Sequence, residues 1–303
     1  MKLAYLGVLA ILLATVAAPQ VAAQDPDTMM PDESAATAKK LIRQLTDALG
    51  GAAYLNANGS ECSGRISAFG HNLDLTEFME FKSFWRYPDT NRMEYGKKGN
   101  IIDLFSSPES WTLDHGGVSP EPEDSVAAFR ENLKNNIDHL LRVRLHDPAM
   151  TFRYGGLDLI DMHPVDWVEI DDPDGRVYKL AIRRETHLLE RSVVTVPDPK
   201  ELDTVEFTTL YSNYHPQDGV QTPFQVSRSR NGRRISQVFY YGCKYNPSLP
   251  PDFSPKLLWI SASRKSAQKK IRNRRSISSR SKLGAGGGRY FTTISYSHRT
   301  PLI

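Results

Sequence analysis

The sequence predicts a mainly β protein, in which one antiparallel sheet is curved or rolled into a barrel and accompanied by two amphipathic helices. Three observations predict this fold class. Apolar and polar residues alternate through about eleven short segments, Asp-Gly and Asn-Gly turns separate two pairs of them, and the chain contains 19 prolines and 20 glycines. The chain has no regular succession of strands and helices and no repeat of fixed period, which argues against a parallel α/β fold.

Two segments have the 3.6-residue apolar period of amphipathic helices. The first leads in at Ser34, continues to Leu49 and stops at a Gly-Gly pair, which is a common helix end. The second is capped by Asp124 or Ser125 and continues as one apolar stripe to Leu141. Each helix therefore needs an apolar surface to cover.

Two longer segments alternate as strands do. Residues 79–87 place Met79, Phe81, Ser83, Trp85 and Tyr87 on one face, and residues 204–214 do the same with Val205, Phe207, Thr209 and Tyr211. Asp174-Gly175 and Asn231-Gly232 predict two hairpins. Further strands are expected near residues 64–69, 101–106, 157–161 and 188–196.

The composition and charge limit the class of protein. Apolar residues make up 40% of the 303 residues and charged residues 24%, which is typical of a soluble globular protein. Residues 257–303 contain 11 of the 38 basic residues and no acidic one, so residues 1–256 have 27 basic residues against all 35 acidic ones, a net charge of −8. An acidic folded part argues against nucleic-acid binding by that part.

The N-terminal region has the pattern of an exported protein. A long apolar run follows Met1-Lys2, and the small residues Val21-Ala22-Ala23 precede a predicted cleavage at Gln24. The alternative is a membrane anchor, for which the run is short. We expect a signal peptide over residues 1–23, a polar leader over 24–33, and a mature chain that is periplasmic or secreted.

The C-terminal region differs in composition from the rest. Residues 257–303 are rich in Ser, Arg and Gly and have no periodic apolar pattern, which predicts a disordered basic tail. A basic arm for nucleic acid or a membrane surface is the alternative. The folded domain is expected over residues 34–256.

Motifs for catalysis are missing from the sequence. It has no Gly-x-Ser-x-Gly, Walker, Gly-x-Gly-x-x-Gly or His-Glu-x-x-His pattern. His115-Gly116-Gly117 resembles an oxyanion loop, but without a nucleophile motif to serve it predicts a turn between strands. We therefore expect a protein that is not an enzyme and has no metal site and no cofactor.

The two cysteines leave two alternatives open. Cys62 and Cys243 are 181 positions apart, at the start of the first predicted strand and the end of the last. An exported chain with an even number of cysteines allows one pairing, but two reduced thiols fit the sequence equally well.

The order of these elements resembles a known family. The segments FMEFKSFWRYPDTNRMEYG at residues 78–96 and LYSNYHPQDGVQTPF at 210–224, with the Asn-Gly hairpin and the stretch from Tyr245 to Phe253, are similar to the outer-membrane lipoprotein-sorting (LolA-like) carriers. The resemblance covers residues 34–256. It implies an unclosed antiparallel β-barrel with helices over the concave face, whose cavity shelters acyl chains in the periplasm.

The resemblance also implies partners and a site. The expected ligands are lipid or lipoprotein acyl chains, and envelope membrane proteins would load or accept the cargo. A ligand-free structural or interaction protein of the envelope is the alternative, and an envelope enzyme acting on a hydrophobic substrate is a third. If the sheet curls as implied, the residues facing the cavity are Met79, Phe81, Trp85, Tyr87, Val205, Phe207 and Tyr211.

Overall fold

The computed structural model describes residues 26–70, 72–96, 99–106, 109–198 and 203–249. The predicted signal peptide and basic tail lie outside the described residues. None of the helices in the described part is long and apolar enough to cross a lipid bilayer.

The described residues form thirteen strands in one antiparallel sheet. These are β1 (Gly59–Phe69), β2 (Leu75–Arg86), β3 (Thr90–Tyr95), β4 (Ile101–Phe105), β5 (Trp111–Asp114), β6 (Gly117–Pro120), β7 (Thr151–Ile160), β8 (His163–Asp171), β9 (Val177–Arg183), β10 (Leu189–Asp198), β11 (Asp203–Gln217), β12 (Val220–Arg230) and β13 (Arg233–Tyr245).

The sheet is made of two meanders joined through the pairing of β1 with β13. Its order is β6-β5-β4-β3-β2-β1-β13-β12-β11-β10-β9-β8-β7, so β6 and β7 are edges that do not pair with each other. The predicted unclosed antiparallel sheet is confirmed. The structure has more strands than the expected eleven because four-residue strands such as β5 and β6 are too short to show a period, although the turn predicted at His115-Gly116 does join them.

The helices differ in two respects from the sequence prediction. They are α1 (Pro31–Leu49), α2 (Ala52–Leu55), α3 (Glu123–Asn135) and α4 (Ile137–Arg142), so α1 begins three residues before Ser34 and the second predicted helix is broken in two. The break lies at Asn136, whose backbone is extended and whose Oδ1 accepts a hydrogen bond from the His139 backbone N–H at 3.1 Å. The prediction of one continuous helix was wrong because asparagine caps a new helix better than it continues an old one.

The core fills one half of the concave face. The buried stripe of α1 packs against β7 and β8, and its residues form one apolar cluster with the strands β8 to β10. Its fully buried members include Leu45, Leu140, Ile170, Tyr178 and Leu180. The other half of the face, on β1, β2 and β11 to β13, lies under α2, α3 and α4.

A buried cluster of charges attaches α3 and the segment after α4 to the sheet. The Asp172 side chain, at the turn between β8 and β9, has no solvent exposure and lies 2.7 Å from an Arg144 nitrogen. Arg176 donates its backbone N–H to Asp172 Oδ1 at 2.9 Å and its Nε–H to Asn135 Oδ1 at 3.1 Å. The Tyr178 hydroxyl donates to the Lys134 carbonyl at 2.8 Å. The last turn of α3 is thereby hydrogen-bonded to the sheet.

Removing the Asp172 carboxylate is expected to destabilise the protein strongly. Asp172→Ala removes the carboxylate that pairs with Arg144 at 2.7 Å and accepts the Arg176 backbone N–H, and breaking such a buried pair typically costs about 3–5 kcal/mol. Asp174→Ala is the matched control, because Asp174 pairs with the same arginines but is 46% exposed and should cost about 1 kcal/mol or less. Urea unfolding measures both; equal small losses would show that the cluster does not hold the fold.

The structure joins Cys62 and Cys243 by a disulfide. The two residues are direct partners in the register of β1 and β13, the strand pair that connects the two meanders. The bond therefore closes a loop of 181 positions across the centre of the sheet.

Replacing both cysteines by serine is expected to lower the free energy of unfolding by about 5 kcal/mol, because a loop of this length restricts the unfolded chain strongly. Denaturant unfolding of the variant and the wild type measures the difference. Two free thiols in the unfolded, unreduced wild type would contradict the bond itself.

Candidate functional site

A cavity of about 280 Å³ lies between the concave face of the sheet and the helices α2 to α4. Its floor comes from β1, β2, β3 and β10 to β13, and its cover comes from α2, α4 and the end of α3. The apolar side chains that line it include Leu49, Ile66, Phe81, Trp85, Met93, Ile137, Leu141, Leu189, Val220, Val226 and Val238.

Stacked aromatic rings fix the wall of the cavity on β2. The Trp85 ring lies 6.4 Å from the Tyr87 ring and 6.3 Å from Phe129 of α3, and Phe129 in turn stacks on Phe105 at 4.7 Å. Phe129 is only 5% exposed, so α3 docks onto the sheet through this ring. Because residues two apart on a strand share a face, the alternation in β2 presents Phe81, Trp85 and Tyr87 to the same side.

Four of the seven residues predicted to face the cavity line it: Phe81, Trp85, Tyr87 and Tyr211. The other three do not. Met79 packs against the Ile66, Phe81 and Met93 cluster, Phe207 packs against the main core, and Val205 is 8% exposed at the start of β11. Alternation identifies the face of a strand but not its covered length, and β2 and β11 are longer than the cavity.

A polar cluster lies where α2 and α4 meet over the sheet. The Tyr54 hydroxyl donates to Asp138 Oδ1 at 2.6 Å. The Arg142 guanidinium stacks between the rings of Tyr54 and Tyr87, at 4.0 and 4.3 Å from their centroids, and donates to the Tyr54 carbonyl. The cluster thus contains one negative side chain, Asp138, and one positive side chain, Arg142. Its net charge is therefore close to zero.

The tyrosine hydroxyls of the cavity stay protonated at physiological pH. Burial, reinforced by the charge of Asp138, raises the pKa of Tyr87 to about 12, and burial likewise raises the pKa of Tyr211 to about 12. Each hydroxyl has a local partner: Tyr87 with Ser60 at 3.2 Å, and Tyr211 with Ser192 at 3.2 Å. Near α4 the cavity therefore combines apolar walls with a hydrogen-bonding edge that is close to neutral.

The sequence analysis missed several lining residues. Tyr54, Arg142 and Tyr240 come from a short helix, a helix end and a bulged strand, where no periodic signal is present. Arg228 could have been found from the sequence. It is two residues after Val226 and therefore on the same face of β12, where a charge on an otherwise apolar face indicates a binding role.

In the described chain, no serine that lines the cavity is hydrogen-bonded to a histidine. Ser60 pairs with Tyr87, and Ser83 accepts from Asn91 at 3.1 Å. Both cysteines are in the disulfide. The described residues also contain no group of three His, Cys, Asp or Glu side chains placed to hold a metal ion.

The overall structure is similar to solved structures with low sequence identity. A DUF1329 family protein from Desulfovibrio piger superimposes with a TM-score of 0.53 at 12% identity, over 74% of this chain and 98% of that one. A LolA superfamily protein from Nitrosomonas europaea gives 0.48 at 10% identity, over 72% and 98%. A domain assigned to outer-membrane lipoprotein sorting from Vibrio parahaemolyticus gives 0.49 at 11%, over 73% and 99%.

The similarity is one of fold. At 12% identity, the superposition on the DUF1329 family protein shows that the two chains share an architecture. The predicted resemblance is confirmed at this level, as an open antiparallel sheet with helices over its concave face. No family model matches the chain, and no curated protein is similar to it in sequence.

His139, on the cover of the cavity, is expected to make stability depend on pH. Burial, followed by the charge of Arg144, lowers the pKa of His139, while Asp89 acts in the opposite direction. The folded state therefore binds fewer protons than the unfolded state below the ordinary histidine pKa of about 6.5. Stability should fall as the pH decreases from about 7.5 to 5, and His139→Gln should make that decrease shallower.

Urea unfolding at several pH values measures this difference. Any loss that His139→Gln causes at pH 7.5 reflects packing and is subtracted. Parallel profiles for the wild type and the variant would contradict the assignment.

Proposed function

We propose that this protein is a non-catalytic carrier that binds lipid or lipoprotein acyl chains in its cavity, within the periplasm or cell envelope. The observation that carries the proposal is the unequal filling of the concave face. The packed core that α1 forms with β7 to β10 also includes Ile137, Leu140 and Leu141 of α4, yet the rest of the face beneath α2 to α4 leaves a space of about 280 Å³.

The lining of the space argues for an occupant. The space is partly open to solvent, and apolar atoms make up most of its wall. Phe81, Trp85, Val226 and Val238 line it, and an apolar ligand that covers these side chains removes their surface from water. This lining favours a site for apolar ligands over a packing defect.

The acyl chain is the apolar ligand that fits both the lining and the predicted location. Each CH₂ group moved from water into the cavity contributes about 0.8 kcal/mol, and among the described residues that line it no nucleophile is hydrogen-bonded to a base. Export through a signal peptide over residues 1–23 and the resemblance to lipoprotein-sorting carriers support a role in the envelope. Envelope membrane proteins would then load the cargo or accept it.

Blocking the cavity should abolish binding without unfolding the protein. Val226→Trp places a large ring in the space, whereas Gln225→Trp, one residue earlier on the opposite face of β12, is the matched control. We expect Val226→Trp to weaken binding of a fluorescent fatty acid at least tenfold and Gln225→Trp to leave it unchanged. Fluorescence titration measures both, and thermal unfolding verifies that both fold.

The dependence on chain length is a second measurement of the same site. Shortening a fatty acid by one CH₂ should weaken binding about fourfold, the equivalent of 0.8 kcal/mol. Wild-type protein that binds no acyl probe, and that carries no lipid in native mass spectrometry when extracted from its own envelope, would overturn the carrier in favour of a ligand-free scaffold.

A further inference from the structure

One charged side chain reaches the cavity from a strand. Among the described residues that line the space, Asp138, His139 and Arg142 belong to α4, and Arg228 is the charged residue that the sheet supplies. Arg228 lies near the end of β12, two residues before the hairpin turn to β13. It is therefore placed at the opposite end of β12 from Val220, about 26 Å away along the strand.

Polar side chains flank Arg228 on both neighbouring strands. Its register partners are Thr209 on β11 and Ser236 on β13, and both line the cavity. Side chains directly opposite each other on adjacent strands have Cβ atoms about 4.5–5.5 Å apart. The three residues therefore form a row of one guanidinium between two hydroxyls, next to the apolar residues Val226 and Val238.

The charge of Arg228 has no acidic partner in the described chain. Its guanidinium has neither an ion pair nor a hydrogen bond there, and it lies over the Phe207 ring, 5.1 Å from the centroid. Burial lowers the pKa of Arg228, yet arginine remains charged at neutral pH. A half-buried cation without an acidic partner is unfavourable, and a bound anion would reduce that cost.

Arg142, the other arginine of the cavity, is different. Its guanidinium is held between two tyrosine rings, and Asp138 lies on the same turn of α4. The charge of Arg142 thus has an acidic neighbour, Asp138, although its Nε and Nη2 groups have no hydrogen-bond partner among the described residues. Arg228 differs because no acidic side chain of the described chain lies beside it.

We propose that Arg228 binds the acidic headgroup of the acyl ligand, a carboxylate or a phosphate, with Thr209 and Ser236 as hydroxyl partners and the chain lying along Val226 and Val238. This inference rests on the proposed carrier function and adds the class of its ligand, an anionic single-chain amphiphile. A guanidinium suits either headgroup because it donates two parallel hydrogen bonds to two oxygens of one anion.

The test compares an acid with its own methyl ester on the full mature chain. Wild-type protein should bind palmitic acid at least tenfold more tightly than methyl palmitate at pH 8, since a charged hydrogen-bonded pair distinguishes them. Arg228→Met should bind both at the affinity of the ester, and Arg228→Lys should recover part of the preference. Arg230→Met is the matched control, because Arg230 is the next residue on that face but is exposed, and it should keep the preference.

Thermal unfolding of the Arg228→Met variant shows whether a loss of binding is caused by unfolding. Because Arg228→Met removes a half-buried charge that has no acidic partner, its melting temperature in the absence of ligand should be equal to or above that of the wild type. The affinities of dodecanoic acid and dodecyl phosphate are then compared. The probe that binds more tightly shows whether the site prefers a carboxylate or a phosphate headgroup.

The outcomes separate this inference from the carrier function. Equal binding of acid and ester by the wild type, or an unchanged preference in Arg228→Met, would overturn the role of Arg228 and leave the carrier intact. Failure of every acyl probe to bind would instead overturn the carrier and this inference with it.

Discussion

The open sheet is the constraint on which the rest of the structure depends. Because the edges β6 and β7 do not pair, the sheet cannot bury its concave face against itself as a closed barrel would. That face must be covered by helices, and the chain supplies two unequal covers. The long α1 packs closely on β7 and β8, whereas the short helices α2 and α4 and the end of α3 lie across the other half.

The cavity follows from how these covers are attached. The helix α3 is held through Phe129 at its middle and through the Asp172, Arg144 and Arg176 cluster at its C-terminal end. These two attachments fix the position of the helix but leave space beneath its last turn and α4. An apolar floor under a cover attached at a few points is suited to enclosing a flexible chain.

The charges that line the cavity differ between its two ends. Near α4 the charges of Asp138 and Arg142 compensate each other among protonated tyrosines, while at the far end of β12 the charge of Arg228 is not compensated. An amphiphile with one charged end matches this distribution better than a neutral oil does. The acidic net charge of residues 1–256 would not attract such a ligand from a distance, so recognition depends on the local site.

Local periodicity and turn chemistry could be read from the sequence alone. The alternation in β2 and β11, the hairpin at Asn231-Gly232 and the apolar stripe of α1 were all readable, because each depends on residues close together in the chain. Only the tertiary structure decided the pairing of β1 with β13, which brings Cys62 to Cys243. It also decided which lengths of β2 and β11 lie under a helix, so Phe81 lines the cavity and Met79 does not. Periodicity specifies which face a side chain is on, but contacts between distant segments determine what covers that face.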